Sequence, residues 1–456
     1  MNHTIQHTGI ERERVQALLA RERAEYAQRN PKSQVMSTRA APQLMFGVPL
    51  HWMNDWSTPF ALHVAQAQGA QLTDVDGHTL ADFCLGDTGA MFGHSPAVVA
   101  EALATQARHG LTTMLPNEDA SVVGELLAQH FGLPKWQFAM TASDANRFLL
   151  RWVRAATGRR TLLVFNGCYH GTVDDVFVDL VDGQPTQRAS LLGQVHDLTA
   201  TTRVVEFNDL AALALGDVAC VLAEPVMTNI GMVLPEPGYW AQAQDIIRRH
   251  GSLLVLDETH TLSSGPGGYT RAHGLQPDAV VVGKALGGGM PCAAYGFSAA
   301  LAERAEAAKR AAPSGHSGIG TTLTANSLAT VAMRATLTHL MTPQVFAPMH
   351  ALAEQLAAGL RTIIARHSLP WCVTQVGARA EFQFCPQPPR NGSQAEAVMD
   401  AELEHALHLA LLNRCVLITP FHNMMLVCPD TTQMHVQRLL TAFDAVLTAL
   451  TATTDS

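Results

Sequence analysis

One lysine, Lys284, stands where a folded chain can place a reactive amine. It follows a continuous apolar run, Ala279–Val282, and precedes three glycines at 287–289. Burial disfavours the charged amine and leaves a nucleophile that an aldehyde cofactor would capture as a Schiff base. A phosphate-binding lysine of the nucleotide-loop type is excluded, because Asp278 stands where that motif needs glycine and Ala285 where it needs serine or threonine.

An aspartate, Asp257, lies 27 residues before the lysine, at the end of the apolar run Leu253–Leu256. A carboxylate at the bottom of a cleft can pair with a pyridinium N–H and make that ring an electron sink. Thr259 is expected against one face of the ring. An isolated aspartate at a strand end is also typical of a helix cap, but the aspartate and the lysine together favour amino-group chemistry.

The segment Thr141–Asn146 predicts a turn that binds phosphate. Its small residues, Ala142 and Ser143, let backbone N–H groups approach an anion, and the helix that follows adds its dipole. The same residues are also typical of a plain N-cap without a ligand. Thr321 and Thr322 are hydroxyls beside glycines and suit phosphate in the same way.

Two further residues follow apolar runs. Tyr169, in Gly-Cys-Tyr-His-Gly-Thr, can stack on a flat heterocycle, although core packing is an equal alternative. Glu224 ends Val-Leu-Ala-Glu-Pro and can brace a site through hydrogen bonds.

Four continuous apolar runs position these residues. Runs that are apolar on both faces are typical of a parallel sheet covered by helices on each side, and alternation with helical stretches predicts a doubly wound α/β domain. Ligand sites in such sheets lie at the carboxyl ends of the strands, where Glu224, Asp257 and Lys284 stand. The runs cover residues 161–165, 218–223, 253–256 and 279–282.

Composition excludes several classes of function. A net charge of −9 provides no basic field for nucleic acid. The eight cysteines are scattered singly, which predicts reduced thiols in a cytoplasmic enzyme and no thiolate metal site. No apolar run is long enough to cross a membrane, and the charged N-terminus is unlike a signal peptide. The length of 456 residues predicts two or three domains.

The order of these motifs resembles a known family. T-A-S-D-A-N, Y-H-G, E-P, D-E-T, G-K and G-T-T-L-T-A-N-S-L-A follow one another as in the class III aminotransferases, of the pyridoxal-phosphate fold-type I group. The nearest subgroup resembles glutamate-1-semialdehyde aminomutase and the β-amino-acid aminotransferases. The resemblance covers roughly residues 60 to 450. The phosphate turn departs from the family's S-G-T-E, but its residues remain small.

The resemblance implies an α/β fold with a mainly parallel central sheet, helices on both faces and a smaller α+β domain built from the N- and C-terminal segments. The expected divisions are 1–75, with an N-terminal helix and irregular segment of the small domain, 76–335 for the large cofactor domain, and 336–456 for the rest of the small domain. It also implies a homodimer whose two chains share their active sites.

The resemblance assigns a role to each matching residue. Lys284 and Asp257 are the expected catalytic pair, with the cofactor, pyridoxal 5′-phosphate, attached to the lysine and its ring nitrogen on the aspartate. The other expected cofactor contacts are Ala142 and Ser143 at the phosphate, Tyr169 and Thr259 on the two ring faces, Glu224 near the ring, and Thr322 from the partner chain, with Thr321 as its alternative.

Substrate contacts are expected from residues near the departures from the family pattern. An acid at Asp87 would repel a carboxylate and favour an ammonium or hydroxyl group. Arg39 and Arg379 are candidates for a substrate carboxylate, although a structural ion pair with Glu381, two residues later, is the favoured interpretation of Arg379. Trp52 and His422 complete the set of candidate substrate residues.

The expected reaction is a ping-pong transfer of an amino group from an amino acid or amine to a carbonyl acceptor. The alternative is an aminomutase, which moves the group within one molecule and needs no external acceptor. A racemase or decarboxylase on the same scaffold is a third hypothesis. A cofactor-binding regulator without turnover is disfavoured by the intact pair of Asp257 and Lys284.

Overall fold

The computed structural model describes residues 8–452, and the chain divides into two compact units. One unit combines residues up to 95 with 347–388 and those from 398 on. The other consists of 96–346 and 389–397. The divisions expected from the sequence, after residues 75 and 335, stay a prediction.

Thirteen α-helices are assigned within the described residues. They are α1 (Arg12–Arg29), α2 (Pro31–Ala40), α3 (Ala97–Gln106), α4 (Asp119–Phe131), α5 (Ala142–Thr157), α6 (Tyr239–Arg249), α7 (Gly268–Ala272), α8 (Ala299–Ala311), α9 (Ser327–Ala335), α10 (Pro343–Arg366), α11 (Gly392–Ala397), α12 (Ala401–Asn413) and α13 (Gln433–Thr451).

Sixteen strands are assigned in the same part of the chain. They are β1 (Val64–Gln68), β2 (Gln71–Asp74), β3 (Thr79–Asp82), β4 (Lys135–Ala139), β5 (Thr161–Phe165), β6 (Val178–Val181), β7 (Gln184–Gln187), β8 (Thr202–Val205), β9 (Val218–Ala223), β10 (Leu253–Asp257), β11 (Ala279–Val282), β12 (Ala293–Phe297), β13 (Cys372–Val376), β14 (Arg379–Gln383), β15 (Val416–Leu417) and β16 (Met424–Leu426).

The unit of residues 96–346 is built on a seven-stranded sheet in the order β4-β12-β11-β10-β9-β5-β8. The pairs from β11 through β8 are all parallel, whereas β12 is antiparallel to both of its neighbours. The mainly parallel α/β sheet expected from the sequence is therefore confirmed. All four apolar runs are strands, and every side chain of β9 is fully buried. Burial of a valine or leucine contributes about 1.5–3 kcal/mol.

Helices cover both faces of this sheet. Val255 of β10 belongs to the core that includes Phe148 of α5 and Leu301 of α8. Phe165 at the end of β5 instead contacts Tyr239 of α6, with ring centroids 6.5 Å apart. Because successive side chains of a strand point to opposite faces, α5 and α6 lie on opposite sides of the sheet.

The unit that contains both chain ends has two smaller sheets, ordered β1-β2-β3-β15 and β13-β14-β16. A hairpin joins β2 to β3 through Gly77, whose φ of +97° suits a glycine. Helix α1 ends at Arg29 with Asn30 as its C-cap, and α2 begins at Pro31, because proline is favoured in the first turn of a helix.

Candidate active site

Asp257 lies at the carboxyl end of β10 and is 4% exposed. Its Oδ2 accepts a hydrogen bond from Asn146 Nδ2 (2.8 Å) and lies 3.0 Å from Nδ1 of His170. Its Oδ1 accepts from the backbone N (3.1 Å) and Oγ1 (2.6 Å) of Thr259. Each carboxylate oxygen therefore has partners that fix its direction at the sheet edge.

This carboxylate is held in its ionised form. Burial opposes ionisation, but the hydrogen bond and positive charge of His170 lower the pKa of Asp257 below its usual value. Burial also opposes the imidazolium, yet interactions with Asp257 and Cys168 together raise the pKa of His170 to about 10. At neutral pH the two side chains form a buried ion pair, and the carboxylate keeps its charge.

Lys284 follows β11 in a strained backbone conformation, with φ at +43°. A non-glycine residue in this region costs roughly 1–3 kcal/mol, and such residues cluster at functional sites. The preceding Gly283 passes close to α5, since a Cβ there would lie 2.8 Å from the Cβ of Ala142. The Nζ of Lys284 lies 2.5 Å from Nε2 of His260.

The expected phosphate turn forms the start of α5. Thr141 caps the helix, its Oγ1 accepting from the N of Asp144 (3.1 Å). Ser143 Oγ accepts from the N of Thr172 (3.0 Å), which ties this turn to the loop after β5. Gly171 makes that approach possible, because its φ is +81° and a Cβ would lie 2.1 Å from Ser143 Oγ. The first-turn N–H groups of α5 are thus presented at the sheet edge that carries Asp257 and Lys284.

Glu224 follows β9, and its carboxylate accepts hydrogen bonds that fix the loop after this strand. Its Oε2 accepts from Thr228 Oγ1 (2.6 Å) and from Asn229 Nδ2 (2.9 Å), and its Oε1 accepts from the N of Tyr169 (3.3 Å). Burial raises its pKa. These contacts brace the loop of Tyr169, whose side chain is 40% exposed.

The structure therefore brings most of the expected cofactor residues to one edge of one sheet. Thr322 lies instead in an exposed segment before α9, so its expected contact with the cofactor of a partner chain stays a prediction. The candidate catalytic and cofactor residues at the sheet edge are Ala142, Ser143, Tyr169, Glu224, Asp257, Thr259 and Lys284.

The five candidate substrate residues all belong to the other unit. Arg39 is exposed near the end of α2. The ring of Trp52 meets the ring of Phe421 edge to face at 5.8 Å. Asp87 has a φ of +48°, in the left-handed region. Their roles toward a substrate stay predictions.

The remaining two candidates, Arg379 and His422, are buried. Arg379 Nη2 donates to Thr88 Oγ1 (2.6 Å). Glu381, the partner suggested for Arg379 by its spacing, lies 3.0 Å from His422 Nδ1. Burial opposes the charge of His422, but Glu381 raises its pKa. These contacts describe a buried polar cluster within this unit.

Sequence reasoning missed three residues of the site: Asn146, His170 and His260. Each stands inside or directly after a motif that was recognised, and all three are buried at the sheet edge. Their motif positions were therefore a usable signal. Their partners depend on side-chain directions that are set by packing.

Among residues 8–452, no group of three or more His, Cys, Asp or Glu side chains could hold a metal ion. No described helix is both long and apolar enough to cross a membrane.

Residues 52–447 match the model of the family "Aminotransferase class-III". The chain belongs to this family. It is 34% identical, over 86% of its own length and 91% of the relative's, to a glutamate-1-semialdehyde 2,1-aminomutase of Sorangium cellulosum. Similar aminomutases of Chloroflexus aggregans and Anaeromyxobacter are each 32% identical to it.

Solved structures give the same picture. A glutamate-1-semialdehyde-aminomutase from Pseudomonas aeruginosa PAO1, one form of which is a complex with PMP, is 46% identical with a TM-score of 0.95 and covers 97% of this chain and 100% of that one. A β-phenylalanine aminotransferase from Variovorax paradoxus is 25% identical with a TM-score of 0.84, covering 94% and 97%.

The protein is thus a pyridoxal-phosphate-dependent enzyme of fold-type I, and its residues fit that cofactor. A buried, ionised carboxylate suits the pyridinium nitrogen. An amine on the next strand suits the aldehyde. The N-terminus of α5, which the loop after β5 approaches closely at Gly171, suits a phosphate group.

Proposed function

We propose that this enzyme is an aminomutase, which moves an amino group between neighbouring carbons of one small amino-carbonyl substrate. The observation that carries amino-group chemistry is the placement of ionised Asp257 and Lys284 at adjacent strand ends. The choice of transfer within one molecule is supported by 46% identity, across essentially the whole of both chains, with the Pseudomonas aminomutase.

Each end of the cofactor has its own residues in this proposal. Asp257 holds the ring nitrogen, and His170 and Asn146 keep that carboxylate charged and aimed. The N–H groups of Ala142 and Ser143 hold the phosphate. Tyr169 and Thr259 are proposed to flank the ring, and Glu224 fixes the loop that carries the tyrosine.

When bound, pyridoxal phosphate supplies an aldehyde carbon that takes up the amino group and a protonated ring that accepts electron density. Lys284 would hold the cofactor in its aldehyde form. When free of the cofactor, its Nζ would remove a proton from the substrate carbon and return it at the carbon that next needs one. The strained backbone of Lys284 fixes the direction from which this amine approaches.

We also propose a homodimer in which Thr322 reaches the partner's cofactor phosphate. Exposed apolar side chains lie beside Thr322 and in the segment between α3 and α4: Leu323 is 52%, Met114 79% and Leu115 72% exposed. Ser327 N donates to Leu111 O (2.9 Å), which holds the two apolar segments together. Such patches are typical of protein interfaces. Sedimentation should give twice the chain mass, and Thr322→Ala should weaken cofactor binding without changing that mass.

We place the enzyme in the cytoplasm, an assignment supported by its eight cysteines, which are all free thiols in the structure.

The test of the function is turnover without a co-substrate. Enzyme loaded with pyridoxamine phosphate is given glutamate 1-semialdehyde, the compound that names the relatives, with no other amine or carbonyl compound. We expect many turnovers per site to the isomer with its amino group on C1 and its carbonyl on C2. Lys284→Ala should abolish this turnover.

The second candidate is transfer between two molecules, the reaction first expected from the sequence. It is supported by the structural likeness to the Variovorax aminotransferase and to an ω-transaminase from Sphaerobacter thermophilus, 26% identical with a TM-score of 0.82. This reading requires that reaction stop after one turnover per site and resume when a keto acid or amino donor is added.

A further inference from the structure

His260 is a second titratable side chain in direct contact with the reactive amine. Its Nε2 lies 2.5 Å from the Nζ of Lys284, and the residue is 5% exposed. It follows Asp257 by three residues, and Ser263 Oγ donates to its carbonyl oxygen at 3.1 Å, within the turn after β10. The turn after β10, the strand that carries Asp257, thus places the buried imidazole beside the amine.

A lysine ammonium has only donors, whereas a neutral imidazole has one acceptor nitrogen. The contact is favourable when the amine carries the proton and the ring is neutral. When both carry a proton, two like charges face each other in a buried place, which is unfavourable. One proton shared by Lys284 and His260 is therefore favourable, and a second proton is unfavourable.

The other titratable groups around this pair are engaged elsewhere. Asp257 and His170 pair with each other. Glu258 accepts hydrogen bonds from Thr261 Oγ1 (2.5 Å) and Tyr269 N (3.0 Å), and Glu224 accepts from Thr228. With its pKa raised to about 10, His170 keeps its charge through the neutral range. His260 is the imidazole at this edge that touches the amine.

We propose that His260 is the positioning residue of Lys284, an inference that rests on the proposed function of that lysine. Its neutral ring accepts a hydrogen bond from the ammonium that forms when Nζ takes the substrate's proton. It holds Nζ in place until the proton is returned, and the ring's own protonation in acid breaks the contact. The proton passes from substrate carbon to Nζ and back, and nothing is oxidised or reduced.

Two substitutions separate holding from titrating. His260→Gln keeps an acceptor near the same place but cannot take a proton, whereas His260→Phe removes the acceptor. His250→Gln, at an exposed histidine after α6, is the matched control. In single turnover of the holoenzyme at pH 7, we expect the rate of the phenylalanine variant to be roughly 10- to 100-fold below that of the parent, and this gap should narrow as the parent loses the contact toward pH 5.5. The glutamine variant should keep most of the rate and lose the fall in rate between pH 7 and pH 5.5.

A readout independent of turnover comes from the scarcity of lysine. The chain has four lysines, Lys32, Lys135, Lys284 and Lys309, so full-length protein labelled with [ε-¹³C]lysine gives four Cε signals. Lys284→Ala assigns the relevant one. In protein loaded with pyridoxamine phosphate, the Lys284 signal should move as pH crosses the usual histidine range near 6.5. The His260→Gln protein should lack this movement, and the other three signals should match.

The proposal is overturned if the Lys284 signal is flat in the parent protein, or if it moves equally in His260→Gln. Equal losses of rate in the two His260 variants, with an unchanged pH profile, would likewise leave the histidine a merely structural role. Failure of the proposed function is a separate result: reaction of the parent protein would then stop after one turnover per site until a co-substrate is added, and the labelled protein would still report on the contact.

Discussion

Gly171 is the residue that lets the loop after β5 meet the N-terminus of α5, and Gly171→Ala tests the proposed phosphate site. An alanine Cβ would lie 2.1 Å from Ser143 Oγ and 2.8 Å from its Cα. The hydroxyl can rotate away, but the Cα belongs to the backbone and can move only with the first turn of α5. The substitution therefore displaces the N–H groups proposed to hold the phosphate.

The free-energy cost of Gly171→Ala has two contributions. A left-handed alanine costs roughly 1–2 kcal/mol, and overpacking against backbone adds roughly 1–3 kcal/mol. Gly158, at the other end of the same helix, isolates the first contribution, because its φ is +68° and a Cβ there meets nothing within 4 Å. Gly158→Ala should lower the free energy of unfolding by about 1 kcal/mol and leave the cofactor affinity within twofold.

The assay is absorbance titration of cofactor-free protein with pyridoxal phosphate, alongside urea unfolding of the same samples. Gly171→Ala should raise the Kd at least tenfold, which corresponds to about 1.4 kcal/mol. A folded Gly171→Ala protein that binds the cofactor with the parent Kd would refute the assignment of this turn to the phosphate. An equal loss of affinity in Gly158→Ala would show that helix stability alone accounts for the effect.

Three further predictions concern charge. The raised pKa of His170 adds stability that is fully present below about pH 6.5 and is lost as pH rises toward about 10. The free energy of unfolding should therefore fall less over this interval in His170→Gln than in the parent protein. Urea unfolding at each pH measures this difference. Burial, opposed by the charge of His422, raises the pKa of Glu404 to about 8. Its ionisation therefore costs stability as pH rises from about 4.5 to 8. Glu404→Gln should lose less melting temperature between pH 5 and 8 than the parent protein does. Asp257→Asn keeps the shape of the side chain but not its charge, so single-turnover rates should fall by roughly 100-fold or more while binding of the cofactor, followed by absorbance, persists.

Some strands could be predicted from sequence because their environment leaves an unmistakable pattern. The runs at β5, β9 and β11 are apolar on both faces, and each strand begins and ends where its run does. Four of the five residues of the edge strand β4 are partly or fully exposed, and β12 contains a glycine, so neither strand produced a continuous apolar run. The candidate site residues at the strand ends could be named because the apolar runs predicted where those strands end.

The missed contacts depend on backbone angles that no pattern reveals. Lys284 reaches His260 from a left-handed conformation, which a lysine adopts only when the surrounding structure requires it. Asn146 reaches Asp257 across 111 residues of sequence, from one turn inside α5. A sequence can show that such residues stand near a site, but the direction of each side chain follows from packing.

Borohydride reduction of enzyme loaded with pyridoxal phosphate shows directly whether Lys284 carries the cofactor. Reduction fixes pyridoxal phosphate to the amine that holds it, and peptide mass spectrometry then locates the modified residue. We expect the label on Lys284 and none on Lys32, Lys135 or Lys309. A label on any of those three, or a protein that binds the cofactor but retains none after reduction, would contradict it.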